Sequence, residues 1–362
     1  MLQWRLIFML IFFMQKIYFI GAICMLLSAC GESSNYQSIS GKTMGTSYHI
    51  TYKAPKNSDV KSIQASIDER LLQINKSMST YDKDSTISKF NTLKAGESIQ
   101  IDADFGKVLN DSRTIYQKSG YVFDPTVYPL VELWGFGSKI SVDKLQSPPT
   151  ADDIQQAKQK VGLDKVLLNE HHLSKTTDGV GLDFSAIAKG YGVDVIADVL
   201  KNKYHIENYM VEIGGEVATL GLNQQGKTWT IAIDAPIIDS TVSNRQIATT
   251  ISQKTGQALH VATSGNYRNM LQLDGINYSH TISPLTGQPI QNGTASVSVI
   301  AQSVALADGW ATALSALPYD DAQMLANQQG IAAIFINPNK QQSFEIVYSD
   351  TAKSYNPNAK TP

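Results

Sequence analysis

From Tyr209 onward, short segments of alternating apolar residues follow one another with a single helical stretch among them, and this succession constrains the fold of the 362-residue chain more than any other feature. Tyr209–Ile213, Trp229–Asp234, Ile247–Ile251, Leu259–Thr263 and Ala295–Ile300 read as strands, with a hairpin around Asp274-Gly275. A helix over Val304–Leu317 precedes two closing strands, Ala332–Ile336 and Phe344–Tyr348. Strands that follow strands favour antiparallel pairing, so the class expected is α+β rather than doubly wound α/β. The N-terminal half adds a strand at Ser47–Lys53 and a helix on which Val60, Ile63, Ile67, Leu71, Ile74 and Met78 step by three and four. Phe105, Val108, Leu109, Ile115 and Tyr116 mark a second helix, and further helices are expected over Ala151–Val161 and Ser185–Lys203. Lys165–Leu168 reads as a strand, Ser138–Thr150 as a loop, and Asp178-Gly179 as a hairpin turn.

The first 29 residues differ from the rest. They hold Arg5 and Lys16, no acidic residue, and two apolar runs, Leu6–Met14 and Ile17–Leu27. Each run is shorter than the roughly 18–20 residues that span a bilayer. Leu27-Ser-Ala-Cys30 resembles a lipobox, so 1–29 is expected to be a lipoprotein signal peptide and Cys30 the lipidated residue. The polar stretch 31–40 then reads as a tether, 41–350 as the domain and 351–362 as a tail. This places the domain on the extracytoplasmic (periplasmic) face of a bacterial membrane; an uncleaved anchor helix is the alternative, and Met14 an alternative start. Cys24 and Cys30 are the only cysteines, so the domain offers neither disulfide nor thiol nucleophile. A formal net charge of −2 gives no basic excess for nucleic acid.

GxGxxG after a strand, Walker, GxSxG, HExxH and Cys/His signatures are all missing from the sequence. Three segments remain. In Gly181–Gly192, Ser185 is placed to cap a helix whose free N–H groups could seat an anion, with Lys189 one turn in and Asp183 just before; an ordinary capped helix explains the same residues. Asp308 and Thr312, at i and i+4, put two oxygens on one face of a helix, enough to start a Mg²⁺ site that substrate phosphates complete, or else Asp308 is a cap. Thr263-Ser264-Gly265 reads as a phosphate-contacting turn, and His280 as a general base or a structural histidine.

In this order the segments resemble the ApbE family of FAD:protein FMN transferases. The resemblance runs from Gly41-Lys-Thr-Met-Gly-Thr46 through Met78-Ser-Thr-Tyr81, Ser88-Lys-Phe-Asn91, Phe123-Asp-Pro-Thr-Val127, Leu133-Trp-Gly-Phe136, Asp183–Gly190 and Glu212-Ile-Gly-Gly-Glu216 to Thr263–Tyr267, His280–Pro289 and Ala307–Thr312. It departs where the family often has an acidic residue in the turn filled by Ser264-Gly-Asn266, and Ile-Asp where this chain has Ile282-Ser283. The resemblance implies an ApbE-type fold with FAD in a cleft between two subdomains. Met44 and Tyr81 would line the flavin pocket, and Asp124, Asp183, Lys189, Thr263, Ser264 and Ile282 would contact FAD. The Ala186 carbonyl, Asp308 and Thr312 would hold Mg²⁺, with His280 and Asp308 catalytic. It also implies release of AMP as FMN passes to a Thr or Ser hydroxyl of a membrane redox flavoprotein. Hydrolysis of FAD to FMN and AMP, and non-catalytic flavin binding by a lipoprotein, are the competing readings.

Overall fold

Met44 and Gly45 both take positive φ, 48° and 73°. Two such residues form the tight turn whose twist suits a pair of right-twisted strands, and here they join β1 (Tyr36–Thr43) to β2 (Thr46–Lys53). The computed structural model describes residues 35–56, 58–137, 148–237, 245–265, 270–273, 276–279, 281–291, 294–338 and 344–356. The remaining strands are β3 (Ser98–Gln100), β4 (Val166–Asn169), β5 (His172–Lys175), β6 (Tyr209–Ile213), β7 (Glu216–Leu220), β8 (Thr230–Asp234) and β9 (Ile247–Ser252). They continue with β10 (Leu259–Gly265), β11 (Met270–Leu273), β12 (Ile276–Ser279), β13 (Ser296–Ile300), β14 (Ala332–Pro338) and β15 (Phe344–Tyr348). The helices are α1 (Val60–Met78), α2 (Thr86–Thr92), α3 (Ala103–Lys118), α4 (Tyr128–Trp134), α5 (Ala151–Lys158), α6 (Ala188–Asp198), α7 (Val304–Ser315) and α8 (Tyr319–Gln328).

An eight-stranded sheet in the order β1-β2-β6-β7-β10-β13-β14-β15 organises the chain. From β2 onward its neighbours pair antiparallel, as the succession of strands predicts. Period-two alternation feeds two cores at once. Ala262, Val297, Val299, Ala333 and Phe335 join the larger core with α1, α3, α6 and α7, whereas Val261, Ile300, Ile334 and Ile336 point into a second core closed by the β8–β9 hairpin. Each fully buried Val, Leu, Ile or Phe in such a core contributes roughly 1.5–3 kcal/mol. A third, smaller cluster joins Leu130 and Trp134 of α4, Ile154 and Ala157 of α5, and Ile282.

Residues from Gln37 onward form one compact unit, so the cleft expected between two subdomains is cut into that unit. Several boundaries move. Tyr36–Ser40, read as tether, is strand: its backbone pairs with β2 at the sheet edge, and Ile39 is buried in the larger core among polar neighbours. Thr351–Tyr355, read as tail, is a 3₁₀ turn whose Ala352 is buried in the second core. The hairpin placed at Asp178-Gly179 lies instead at Glu170-His171, between β4 and β5. Asp178 Oδ1 accepts the Ala95 N–H, so that turn ties two loops rather than two strands. Cys30 and the leader lie outside the described residues, as does most of the Ser138–Thr150 loop. Among the described residues no helix is long and apolar enough to cross a membrane.

Candidate active site

The crossing of α6 and α7 builds the centre of the site. A Cβ on Gly190 would stand 2.4 Å from the Val304 carbonyl oxygen and 2.9 Å from Ala305 Cα, so only glycine permits this approach. Each helix then lends a carboxylate to the other. Asp194 of α6 accepts the Val304 and Ala305 N–H groups at 2.8 and 2.9 Å, while Asp308 Oδ2 of α7 accepts the Gly190 N–H at 3.1 Å. Negative charge at a helix N-terminus is stabilised by the unpaired N–H groups there. Ser303, not Asp308, caps α7, through the Leu306 N–H.

Ser185 does not cap α6, contrary to its sequence position. Asp183 Oδ1 captures both the Ser185 N–H and its hydroxyl, at 2.8 and 2.5 Å, and the Phe184 carbonyl turns Ile187 and Ala188 into a tight entry, so the helix starts at Ala188. It ends at Asp198 and passes into a π-helical turn over Val199–Lys203. The anion met by the Gly190 N–H is thus the protein's own Asp308 carboxylate.

These groups open onto a cavity of about 840 Å³. Tyr81, Asp124, Asp183, Ala186, Lys189, Thr263, Ser264, Ile282, Asp308 and Thr312 all line it, so ten positions chosen from sequence converge. Met44 lines an adjoining cavity of about 530 Å³, which shares Tyr81, Ser185 and Lys189 with the first. His280 lies outside the described residues. Thr263-Ser264-Gly265 is the end of β10 rather than a turn. Thr263 Oγ1 bonds Ser298 Oγ at 2.7 Å and Ser264 Oγ bonds Ser315 Oγ at 2.9 Å, so both hydroxyls are engaged within the protein. β7 pairs with β10 only as far as Val261, and beyond that residue β10 runs along the cavity.

Side chains without an assigned role hold the acidic wall in place. Asn91 clamps both backbone groups of Leu182, at 2.7 and 2.9 Å. The buried Lys175 ammonium donates to the carbonyls of Phe90, Asn91 and Val180. The Asp183 N–H reaches the Pro125 carbonyl at 2.8 Å, setting Asp183 beside Asp124. Burial pushes the Asp124 carboxyl up to about 6, against hydrogen bonds from the Thr126 N–H and hydroxyl.

Lys189 Nζ meets Glu216 Oε1 at 2.5 Å. Burial pushes the ammonium down, but the Asp308 and Glu216 carboxylates outweigh it and hold Lys189 above its ordinary range. Burial pushes Glu216 and Asp308 the other way from ordinary carboxylates, upward. The two partners thus pull in opposite senses, one toward a charged pair and one toward a neutral acid. The 2.5 Å contact favours the ion pair, because an ammonium between two carboxylates has nowhere better to leave its charge.

Among the described residues no three His, Cys, Asp or Glu side chains gather as a metal site. The expected set has one carboxylate with two neutral oxygens, which suits Mg²⁺, a hard cation that keeps waters and phosphate oxygens as its other ligands. Ala186, Asp308 and Thr312 line one cavity, and buried Asp308, in the field of Lys189 and bonded by the Gly190 N–H, forms no salt bridge among the described residues, so the set fits a divalent cation.

The ApbE family pattern matches residues 44–335. An FAD:protein FMN transferase of Vibrio cholerae is 38% identical over 316 residues, covering 87% of this chain and 91% of that protein. One of Haemophilus influenzae is 37% identical over 322 residues, covering 87% and 90%. Among solved structures, the flavin transferase ApbE from Vibrio cholerae superposes with a TM-score of 0.78 at 36% identity, covering 88% of this chain and 99% of that one. The apo flavinyl transferase ApbE of Pseudomonas stutzeri gives 0.78 at 32%, covering 90% and 98%. With a family match across residues 44–335 and a relative 38% identical over 87% of its length, this chain belongs to the ApbE family.

Proposed function

We propose that this chain is a transferase that moves the FMN half of FAD onto a Thr or Ser hydroxyl of an acceptor flavoprotein, releasing AMP, with Mg²⁺ as cofactor. The observation that carries it is the convergence of Ala186, Lys189, Asp308 and Thr312 on one cavity large enough for a dinucleotide. Bound Mg²⁺ would supply charge neutralisation on the diphosphate and would be held by the Ala186 carbonyl, the Asp308 carboxylate and the Thr312 hydroxyl. Lys189, charged and part-open to the cavity, adds positive charge beside the same phosphates. Asp124 and Asp183, which line the same cavity, offer acceptors for donors of the cofactor. Met44 and Tyr81 frame the adjoining cavity, where the flavin ring fits.

Transfer requires the acceptor hydroxyl to attack the FMN-side phosphorus while the bond to the AMP phosphate breaks. His280 is assigned the hydroxyl proton, which leaves the acceptor oxygen bonded to FMN through a phosphoester. The reading extends to location: lipidation at Cys30 holds the domain on the extracytoplasmic face, where flavin-bearing subunits of membrane redox complexes are its acceptors. A Cys30→Ser chain recovered from membranes in the same share as wild type would remove the anchor.

The test incubates the full chain with FAD, Mg²⁺ and a candidate acceptor and follows AMP and acceptor mass. An FMN-sized adduct on Thr or Ser is expected. AMP release that ignores the acceptor marks a pyrophosphatase instead, and tight FAD binding without AMP marks a binding protein. Asp308→Ala is expected to abolish transfer while the fold persists; retained transfer removes this metal set.

A further inference from the structure

Glu216 has been given no role so far, yet it is the least exposed charged group at the site. It opens β7 directly after Gly214 and Gly215, whose φ values of 62° and 105° make the turn from β6. That turn delivers the carboxylate, 2% exposed, to Lys189. Oε1 takes the ammonium; Oε2 is buried and, among the described residues, has no hydrogen-bond partner. Leaving a buried carboxylate oxygen unpaired costs on the order of 1–3 kcal/mol, so its retention points to a task other than stability.

Lys189 has three carboxylates within its field, Asp308, Glu216 and, more weakly, Glu212. It pairs with Glu216, and no Lys189–Asp308 ion pair is present among the described residues. Asp308 also attracts the ammonium, and it lies beside the Lys189 backbone through the Gly190 N–H. Were Lys189 to turn to Asp308, its charge would occupy the only carboxylate of the metal set. Resting on the metal-dependent reading above, we propose that Glu216 is a positioning residue that draws Lys189 aside and so keeps Asp308 open to the divalent cation.

The test is Mn²⁺ binding to the full chain without nucleotide, followed by electron paramagnetic resonance of the free ion. Glu216→Gln is expected to weaken binding by about tenfold or more, because the freed ammonium then competes for Asp308. In a Lys189→Met background the same change is expected to matter less than about threefold, since the competitor is gone. Glu216→Asp, which keeps the charge on a shorter arm, recovers part of the loss. Wild-type affinity in Glu216→Gln overturns the assignment, as does an undiminished loss in the Lys189→Met background. So does a folded Glu216→Asp that binds no better than Glu216→Gln. Wild-type binding that Asp308→Ala abolishes but Glu216→Gln leaves intact keeps the metal reading and removes Glu216 alone. A wild-type chain that binds no Mn²⁺ without nucleotide overturns the Glu216 assignment, and one that binds none with FAD present removes the metal reading as well.

Discussion

Gly190→Ala is the sharpest perturbation the architecture offers. The new Cβ would lie 2.4 Å from the Val304 oxygen, 2.7 Å from its carbonyl carbon and 2.9 Å from Ala305 Cα. Carbon contacts are comfortable from about 3.5 Å, and all three obstacles are backbone, so no rotamer change relieves the clash. The helices must part by roughly 1 Å. Overpacking of this kind costs about 1–3 kcal/mol. The three hydrogen bonds that cross the gap, from Gly190 to Asp308 and from Val304 and Ala305 to Asp194, lengthen with it. Hydrogen bonds to charged groups contribute about 1.5–3 kcal/mol each, and losing part of that adds a further ~1–2 kcal/mol. Alanine's better helix propensity returns about 1 kcal/mol. The net expectation is a loss of about 1–4 kcal/mol, read as a fall in Tm of roughly 2–10 °C. Activity falls further, because Asp308 and Thr312 move on α7 relative to Lys189 on α6, and a 1 Å misplacement can cost about 10²-fold. Differential scanning calorimetry and AMP release measured on the same preparation check both. An alanine variant with wild-type Tm and rate would show that the helices do not depend on this contact.

Gly192→Ala meets only side-chain ends, Met44 Cε at 3.0 Å and Sδ at 3.3 Å. It should leave Tm within about 1–2 °C but raise KM for FAD with kcat near wild type, because Met44 must swing away; an unchanged KM separates Met44 from the flavin. Asp124→Asn removes a carboxyl that burial pushes up to about 6. The raised value means that the folded state binds this proton more tightly than the unfolded one, so Asp124 favours folding at low pH and that contribution is lost as pH rises from about 4 through about 6. Asparagine keeps Oδ1 for Thr126, so the variant should match wild type at pH 4 and exceed it by up to about 3 kcal/mol at pH 8. An equal difference at both pH values in urea unfolding would assign the effect to packing. His280→Ala should slow transfer by about 10²–10⁴-fold, and an unchanged rate leaves the proton acceptor elsewhere.

The elements legible in the sequence are those whose side chains carry the period. α1 shows its full span because Ile63, Ile67, Leu71 and Ile74 repeat along one buried face. β1 escapes because an edge strand over a half-wet face needs little apolar alternation; in Tyr36–Ser40 only Ile39 is a buried apolar side chain, too little to show a period. Ser185 misleads for a local reason. A serine before a helical pattern looks like a cap, but Asp183 holds the Ser185 N–H and hydroxyl while the Phe184 carbonyl takes the Ile187 and Ala188 N–H groups such a cap would need, shifting the helix start to Ala188.

Asp308 shows what pattern alone leaves open. Its spacing to Thr312 admits a metal ligand or a cap, and only the tertiary crossing separates them. The residue that decides, Gly190, lies 118 positions away, and its reason for being glycine is a carbonyl on the other helix. The same holds for Glu216. As a charge in a strand it is unremarked, but behind two positive-φ glycines it becomes the first residue to face α6, where the ammonium of Lys189 waits. Glycine therefore carries information at this site of a kind that side-chain chemistry does not. Gly190 brings two helices close enough to exchange carboxylates, and Gly214-Gly215 brings a third carboxylate to the cation left between them. Under the proposed metal assignment, the chemistry depends on which acid that cation takes, and the turn presents Glu216 to it.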